Sequence, residues 1–170
     1  SGASRLWFFD YDCVPKPNIF GLLGVEGDIV AGIYPAYRWT NDEAKVFYGV
    51  FDRVGEGPND FTLTDLPLDG DAGIVECGGV MMGATVIKRE VLQDRRMWLV
   101  ADDERTPRGD IAAPLFRELW TPYGKQVGSE DLDFCGRAKT LGYSVKAHTS
   151  VRLGHIKDGV DLAVLPEMMR

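Results

Sequence analysis

The chain has 170 residues, 45% of them hydrophobic, including four tryptophans, six tyrosines and eight phenylalanines; that is enough for one buried core and too little for two. Its net charge of −7, with both signs interspersed, argues against a nucleic-acid partner, which wants a basic face, though not against a phosphate-bearing ligand whose charge a metal ion offsets. No stretch reaches the ~20 apolar residues of a membrane span and no signal-peptide pattern is present, and the widely spaced Cys13, Cys77 and Cys135 read as reduced core thiols, hence a cytoplasmic setting.

Leu6-Trp7-Phe8-Phe9 reads as a buried strand that delivers Asp10 and Asp12 to the edge of a sheet. Pro15-Lys16-Pro17 then breaks the chain, and Asn18 is placed to cap a short helix over Ile19 to Leu23. The run Asp28 to Tyr34 is a second buried strand, ended by Pro35. Strand, helix and strand make a βαβ unit, which predicts that the two strands are parallel neighbours.

Residues 37–73 read as a hairpin excursion, with Val46 to Phe51 strand-like, a turn-rich 55–60 and an alternating Phe61-Thr62-Leu63-Thr64. The apolar segment Ile74 to Ile87 is interrupted by glycines, as where a ligand or another backbone comes close. Lys88 to Leu92 starts a short helix. Residues 101–112 are charged with almost nothing to bury, and read as a mobile loop. Ser129 is a good N-cap, Glu130 and Asp131 suit the first turn of a helix, and Gly142 stops it. Phe134, Ala138 and Leu141 supply its core stripe. Tyr143 to Ala147 alternates as a strand, and Gly154-His155-Ile156 closes the last strand-like stretch. No internal repeat appears, so residues 1–170 form a single domain.

These pieces, in this order, resemble the catalytic portion of the GT-A glycosyltransferases, especially the family 2-like members. The matching residues are the DxD of Phe9-Asp10-Tyr11-Asp12, the strand Asp28 to Tyr34, and Gly78-Gly79-Val80-Met81-Met82 with Lys88-Arg89-Glu90. Ser129-Glu130-Asp131-Leu132-Asp133-Phe134-Cys135 and Gly154-His155 complete them. The resemblance implies an α/β fold, GT-A-like (Rossmann-like), with a mixed, mainly parallel sheet flanked by helices, N-terminally truncated or minimal. Only nine residues precede Asp10 where such enzymes place a nucleotide-binding portion, which is then expected to be missing or supplied by a partner chain.

The resemblance also implies a function: metal-dependent transfer of a sugar from a nucleotide-diphosphate donor to a hydroxyl acceptor, with inversion. The alternative is a non-catalytic, nucleotide-sugar- or glycan-binding fragment of a larger glycosyltransferase. Asp12 is then a direct ligand of Mn²⁺ or Mg²⁺, hard cations that stabilise a departing diphosphate as Lewis acids. Asp10 touches ribose or a metal-bound water, and His155 is a further ligand whose neutral nitrogen suits Mn²⁺. Asp131 is the candidate general base, and Glu130 holds the acceptor or a loop. Gly78 and Gly79 either let the sugar approach the backbone or mark a bulged strand. Trp98 and Trp120 either stack on sugar faces or pack in the core. His148 and Asp133 read as structural.

Overall fold

The computed structural model describes residues 2–40, 43–55, 60–66, 72–98, 115–116, 119–120, 126–157 and 160–161. The chain opens with strands β1 (Arg5–Phe9) and β2 (Cys13–Val14), then a 3-10 helix (Ile19–Gly24). Strands β3 (Ile29–Ile33), β4 (Pro35–Thr40), β5 (Glu43–Tyr48), β6 (Val50–Arg53) and β7 (Phe61–Leu63) follow. After β8 (Ile74–Glu76), β9 (Gly79–Val80) and β10 (Ala84–Lys88) come helices α1 (Arg89–Gln93) and α2 (Arg95–Trp98). Strands β11 (Leu119–Trp120) and β12 (Gln126–Gly128), helix α3 (Glu130–Thr140), and strands β13 (Val145–Arg152), β14 (Gly154–Lys157) and β15 (Val160–Asp161) complete the order.

The central sheet has five strands in the order β1-β10-β3-β13-β8. This corrects the expected mainly parallel, Rossmann-like sheet: of the ten strand pairings among the described residues, only β3 with β13 is parallel. Strands β1 and β3 do run the same way, as a strand–helix–strand unit requires, but they are not neighbours. Strand β10 lies between them, antiparallel to both. The apolar pattern of β1 and β3 is the same whichever strand sits beside them, so their sequence left this open.

Strand β3 is buried along its whole length, and its residues alternate between two cores. Ile29, Ala31 and Ile33 face the one filled by Phe134, Cys135 and Ala138 of α3, with Val91 and Met97. Val30 and Tyr34 face the other, with Cys13, Leu22, Ala84, Val86 and Leu153. All three cysteines are buried and free. Helix α3 is framed as its sequence predicts: Ser129 Oγ accepts from the Leu132 N–H at 3.3 Å, and Gly142 takes φ +90° just past the end.

The first helical segment differs from expectation. It is a 3-10 helix with no side-chain bond from Asn18 at its start, because the Asn18 amide instead donates to the Ser150 carbonyl at 2.5 Å. Pro35 begins β4 rather than only ending β3. The excursion resolves into two hairpins, β4 with β5 and β6 with β7, parted at Gly49. The mobile loop expected over 101–112 lies outside the described residues.

The start of β3 is tied down by Asp28. Its carboxylate accepts from the Ser144 N–H and hydroxyl, each at 2.8 Å, and from Lys88 Nζ at 2.8 Å. Burial alone would raise this carboxyl, but the bonds from Lys88 and Ser144 outweigh it and hold the group below the usual carboxylate range. A depressed carboxylate stabilises the fold above its unfolded value and stops doing so as pH falls through the folded one. Asp28→Ala is therefore expected to cost about 2–3 kcal/mol in urea unfolding at pH 7, with the deficit shrinking below about pH 3; an equal deficit at pH 2.5 would show that packing, and not charge, is what was lost.

Candidate functional site

The C-terminal ends of β1 and β3 lie at one end of the central sheet, and there the chain makes a tight turn. The Asp10 N–H donates to the Gly83 carbonyl at 2.8 Å, and the Cys13 N–H returns to the Asp10 carbonyl at 3.2 Å. Strand β2 follows at once and pairs with β14 so that Cys13 stands opposite His155. The Ile156 N–H donates to the Asp12 carbonyl at 2.8 Å. Two residues 143 positions apart in the sequence thus become neighbours: His155 Nε2 lies 3.4 Å from Asp12 Oδ2.

The other ring nitrogen fixes the chemistry of the pair. His155 Nδ1 is 2.9 Å from the Pro35 carbonyl, an oxygen that only accepts, so Nδ1 carries a proton and Nε2 is turned to Asp12. Edge-on to the imidazole stands the Tyr34 ring, with centroids 4.9 Å apart.

Asp131 enters from the first turn of α3, and its Oδ2 accepts from the Met82 N–H at 3.0 Å. Burial pushes this carboxyl up to about 7 against that bond, and the charges of Glu130 and Asp10 add to the rise. Asp10 is raised too, by burial first and then by Asp12 and Glu130, with His155 opposing. The Cys13 thiol goes up to about 12 through burial and the fields of Asp10, Asp12 and Asp131. The fold thus brings Asp10, Asp12, Glu130, Asp131 and His155 into one electrostatic neighbourhood, where like charges work against one another unless a proton or a cation intervenes.

Among the described residues no three His, Cys, Asp or Glu side chains form a ready-made metal cage. What is present is the pair Asp12–His155. Their 3.4 Å separation exceeds the ~2.8 Å of a charge-assisted hydrogen bond and is somewhat wider than the ~3.0 Å between adjacent octahedral ligands, yet both groups lie within reach of one ion. The donor set fits a divalent cation held by one or two protein groups, with substrate phosphates and water completing the shell.

The other expected residues fall elsewhere. At Gly78 an added Cβ would meet the Arg53 backbone nitrogen at 2.4 Å, and at Gly79 the Leu132 side chain at 2.8 Å. The close approach these glycines permit is thus that of β6 and α3. Trp98 spends its indole N–H on the Leu92 carbonyl at 2.9 Å, in the α1–α2 corner that follows the end of β10 opposite Asp10. The side chain of Trp120 lies outside the described residues. Asp133 is buried and bonded to Arg137 Nε at 2.8 Å, and His148 sits half-buried in β13, both in structural positions. Sequence reasoning passed over Tyr34, Pro35, Met82 and Gly83, which act through backbone groups or a ring edge and leave no polar signature.

No family model matches the chain, and no curated protein matches it. Among solved structures it is similar to one titled "Crystal Structure of A197 from STIV", at 21% identity and a TM-score of 0.42, covering 92% of this chain and 59% of that one. The chain spans about three-fifths of that neighbour's length, and so distant a likeness carries no family across. The resemblance to GT-A glycosyltransferases does not stand. No family model and no curated protein supports it, the sheet is not mainly parallel, and the expected ligands form no complete metal group among the described residues.

The raised carboxyl of Asp131 has a consequence for stability. The folded chain holds this proton more tightly than the unfolded one, so its contribution falls as pH rises from about 4 to 7. Asp131→Asn, which keeps an acceptor for Met82, is expected to stabilise the protein at pH 8 by a few kcal/mol and to match wild type near pH 4, as read by urea unfolding. Identical curves at both pH values would mean that Asp131 ionises as an ordinary carboxylate.

Proposed function

We propose that this acidic site catalyses transfer of a sugar from a nucleotide-diphosphate donor to a hydroxyl acceptor, with Asp131 as the general base. What supports the reading is the pairing of a carboxylate poised near neutral pH with an Asp12–His155 pair close enough to share a divalent cation. A base removes a hydroxyl proton best when its own pKa lies near the working pH, and a diphosphate leaves best when its new charge is met.

The chain's own residues divide the work. Asp12 and His155 would hold Mn²⁺, whose nitrogen-accepting character suits this donor set better than that of Mg²⁺; bound there, it supplies Lewis-acid charge to the diphosphate. The Met82 N–H occupies Oδ2 of Asp131, which leaves the other carboxylate oxygen to accept from the reacting hydroxyl. As the acceptor oxygen bonds to the anomeric carbon, its proton passes to Asp131. The bond from that carbon to the diphosphate breaks, and the electron pair departs with the diphosphate. Attack from the face opposite the leaving group inverts the anomeric centre. Asp10 and Glu130 keep Asp131 from ionising too early through their charge. At the membrane question the structure is plain: no helix among the described residues is long and apolar enough to cross a bilayer.

Calorimetry with UDP and GDP in the presence and absence of Mn²⁺, joined to a donor-turnover screen, tests this. The wild type is expected to bind a nucleotide only with metal and to release sugar from a nucleotide-sugar. Asp12→Ala should lose metal-dependent binding, whereas Asp131→Asn should keep it and lose roughly 10²–10⁴-fold in transfer. Nucleotide binding without any turnover would make the domain a binding module, and release of phosphate instead of sugar would assign a different transfer.

A further inference from the structure

Tyr34 is held from two sides in a way that its place in a buried strand does not require. It is only 5% exposed. Its phenol oxygen accepts from the Gly83 N–H, and the Gly83 carbonyl in turn takes the Asp10 N–H at 2.8 Å. Gly83 has no room for a side chain, since an added Cβ would lie 2.6 Å from the Tyr34 ring and 2.5 Å from Cys13 Sγ. The ring edge therefore packs directly against the Gly83 backbone. Its far side meets the His155 imidazole at 4.9 Å between centroids and 71° between planes. The same dipeptide supplies the Pro35 carbonyl that receives Nδ1.

These contacts set the imidazole's orientation and its proton together. A neutral histidine free in water favours the proton on Nε2. Here the Pro35 carbonyl demands it on Nδ1. Rotating the ring to satisfy Pro35 by other means would drive it into Tyr34, and a flip would turn a carbon toward Asp12. We propose that Tyr34 is a positioning residue: its ring, with the Pro35 carbonyl, locks His155 in the Nδ1–H tautomer and presents the Nε2 lone pair beside Asp12. That this lone pair receives a divalent cation rests on the proposed function. The tautomer lock does not.

Ring-nitrogen NMR on the full chain reads the lock directly, because there are only two histidines to assign, His148 and His155. At a pH where imidazole is neutral, His155 is expected to show the Nδ1–H pattern in the wild type. Tyr34→Phe keeps the ring and should keep both the pattern and the Mn²⁺ affinity, within about twofold. Tyr34→Leu removes the ring edge and should return His155 toward the Nε2–H pattern, with roughly tenfold weaker Mn²⁺ binding, the size of effect that outer-shell partners exert on a ligating histidine. The proposal is overturned if the leucine variant holds the Nδ1–H pattern, or if the phenylalanine variant, which folds with the ring in place, loses it. A protein that follows the expected tautomer pattern yet binds no Mn²⁺ would sink the cation reading and leave the positioning role intact.

Discussion

The structure depends on strand β3, a buried span that cannot move without dismantling both cores. It is paired antiparallel to β10 on one side and parallel to β13 on the other, and it sends alternate side chains to the two faces. Asp28 anchors its start to Lys88 at the end of β10 and to Ser144 just before β13. Its far end runs straight into Tyr34 and Pro35, the residues that meet His155. A strand fixed this firmly along its length sets the position of whatever its tip touches, which is what a chemical site needs from a scaffold.

At that tip the fold does something costly. It gathers Asp10, Asp12, Glu130 and Asp131 within one another's fields, in a chain that already carries net charge −7. Capping alone does not call for this: Ser129 already caps α3, and what Asp131 adds in structure is one bond, from the Met82 N–H. Burial and mutual repulsion lift Asp131 to about 7. Perturbation of this kind, caused by desolvation plus specific like charges, marks a candidate functional site. The Asp12–His155 pair beside it offers the complementary half, a place for positive charge.

Much of this was legible in the sequence where one local rule decides. The buried strands around 5–9 and 28–34, the helix between Ser129 and Gly142 and its Phe134–Ala138 stripe all follow from apolar period and capping chemistry, which act over a few residues. The acidic residues and His155 stood out by type. What the sequence could not convey was which strand lies beside which. A buried strand looks alike with parallel or antiparallel neighbours, so β10 between β1 and β3 went unseen; the parallel neighbour pair inferred from the strand–helix–strand unit was wrong, and so was the mainly parallel sheet that the resemblance implied. Gly78 and Gly79 show the same limit: a glycine reports that something comes close, and what comes close to these two is β6 and α3. Tyr34 and Gly83 escaped because a ring edge and a backbone amide have no spacing to recognise.

The central claim is that Asp12 and His155 share one divalent cation beside Asp131. Anomalous X-ray scattering at the manganese edge, from crystals grown with Mn²⁺ and a nucleoside diphosphate, tests it most directly. The account predicts a single strong peak within about 2.3 Å of both Asp12 Oδ2 and His155 Nε2, with the diphosphate completing the ion's shell. A nucleotide bound with no peak between those two side chains, or a peak held by other residues, would contradict it.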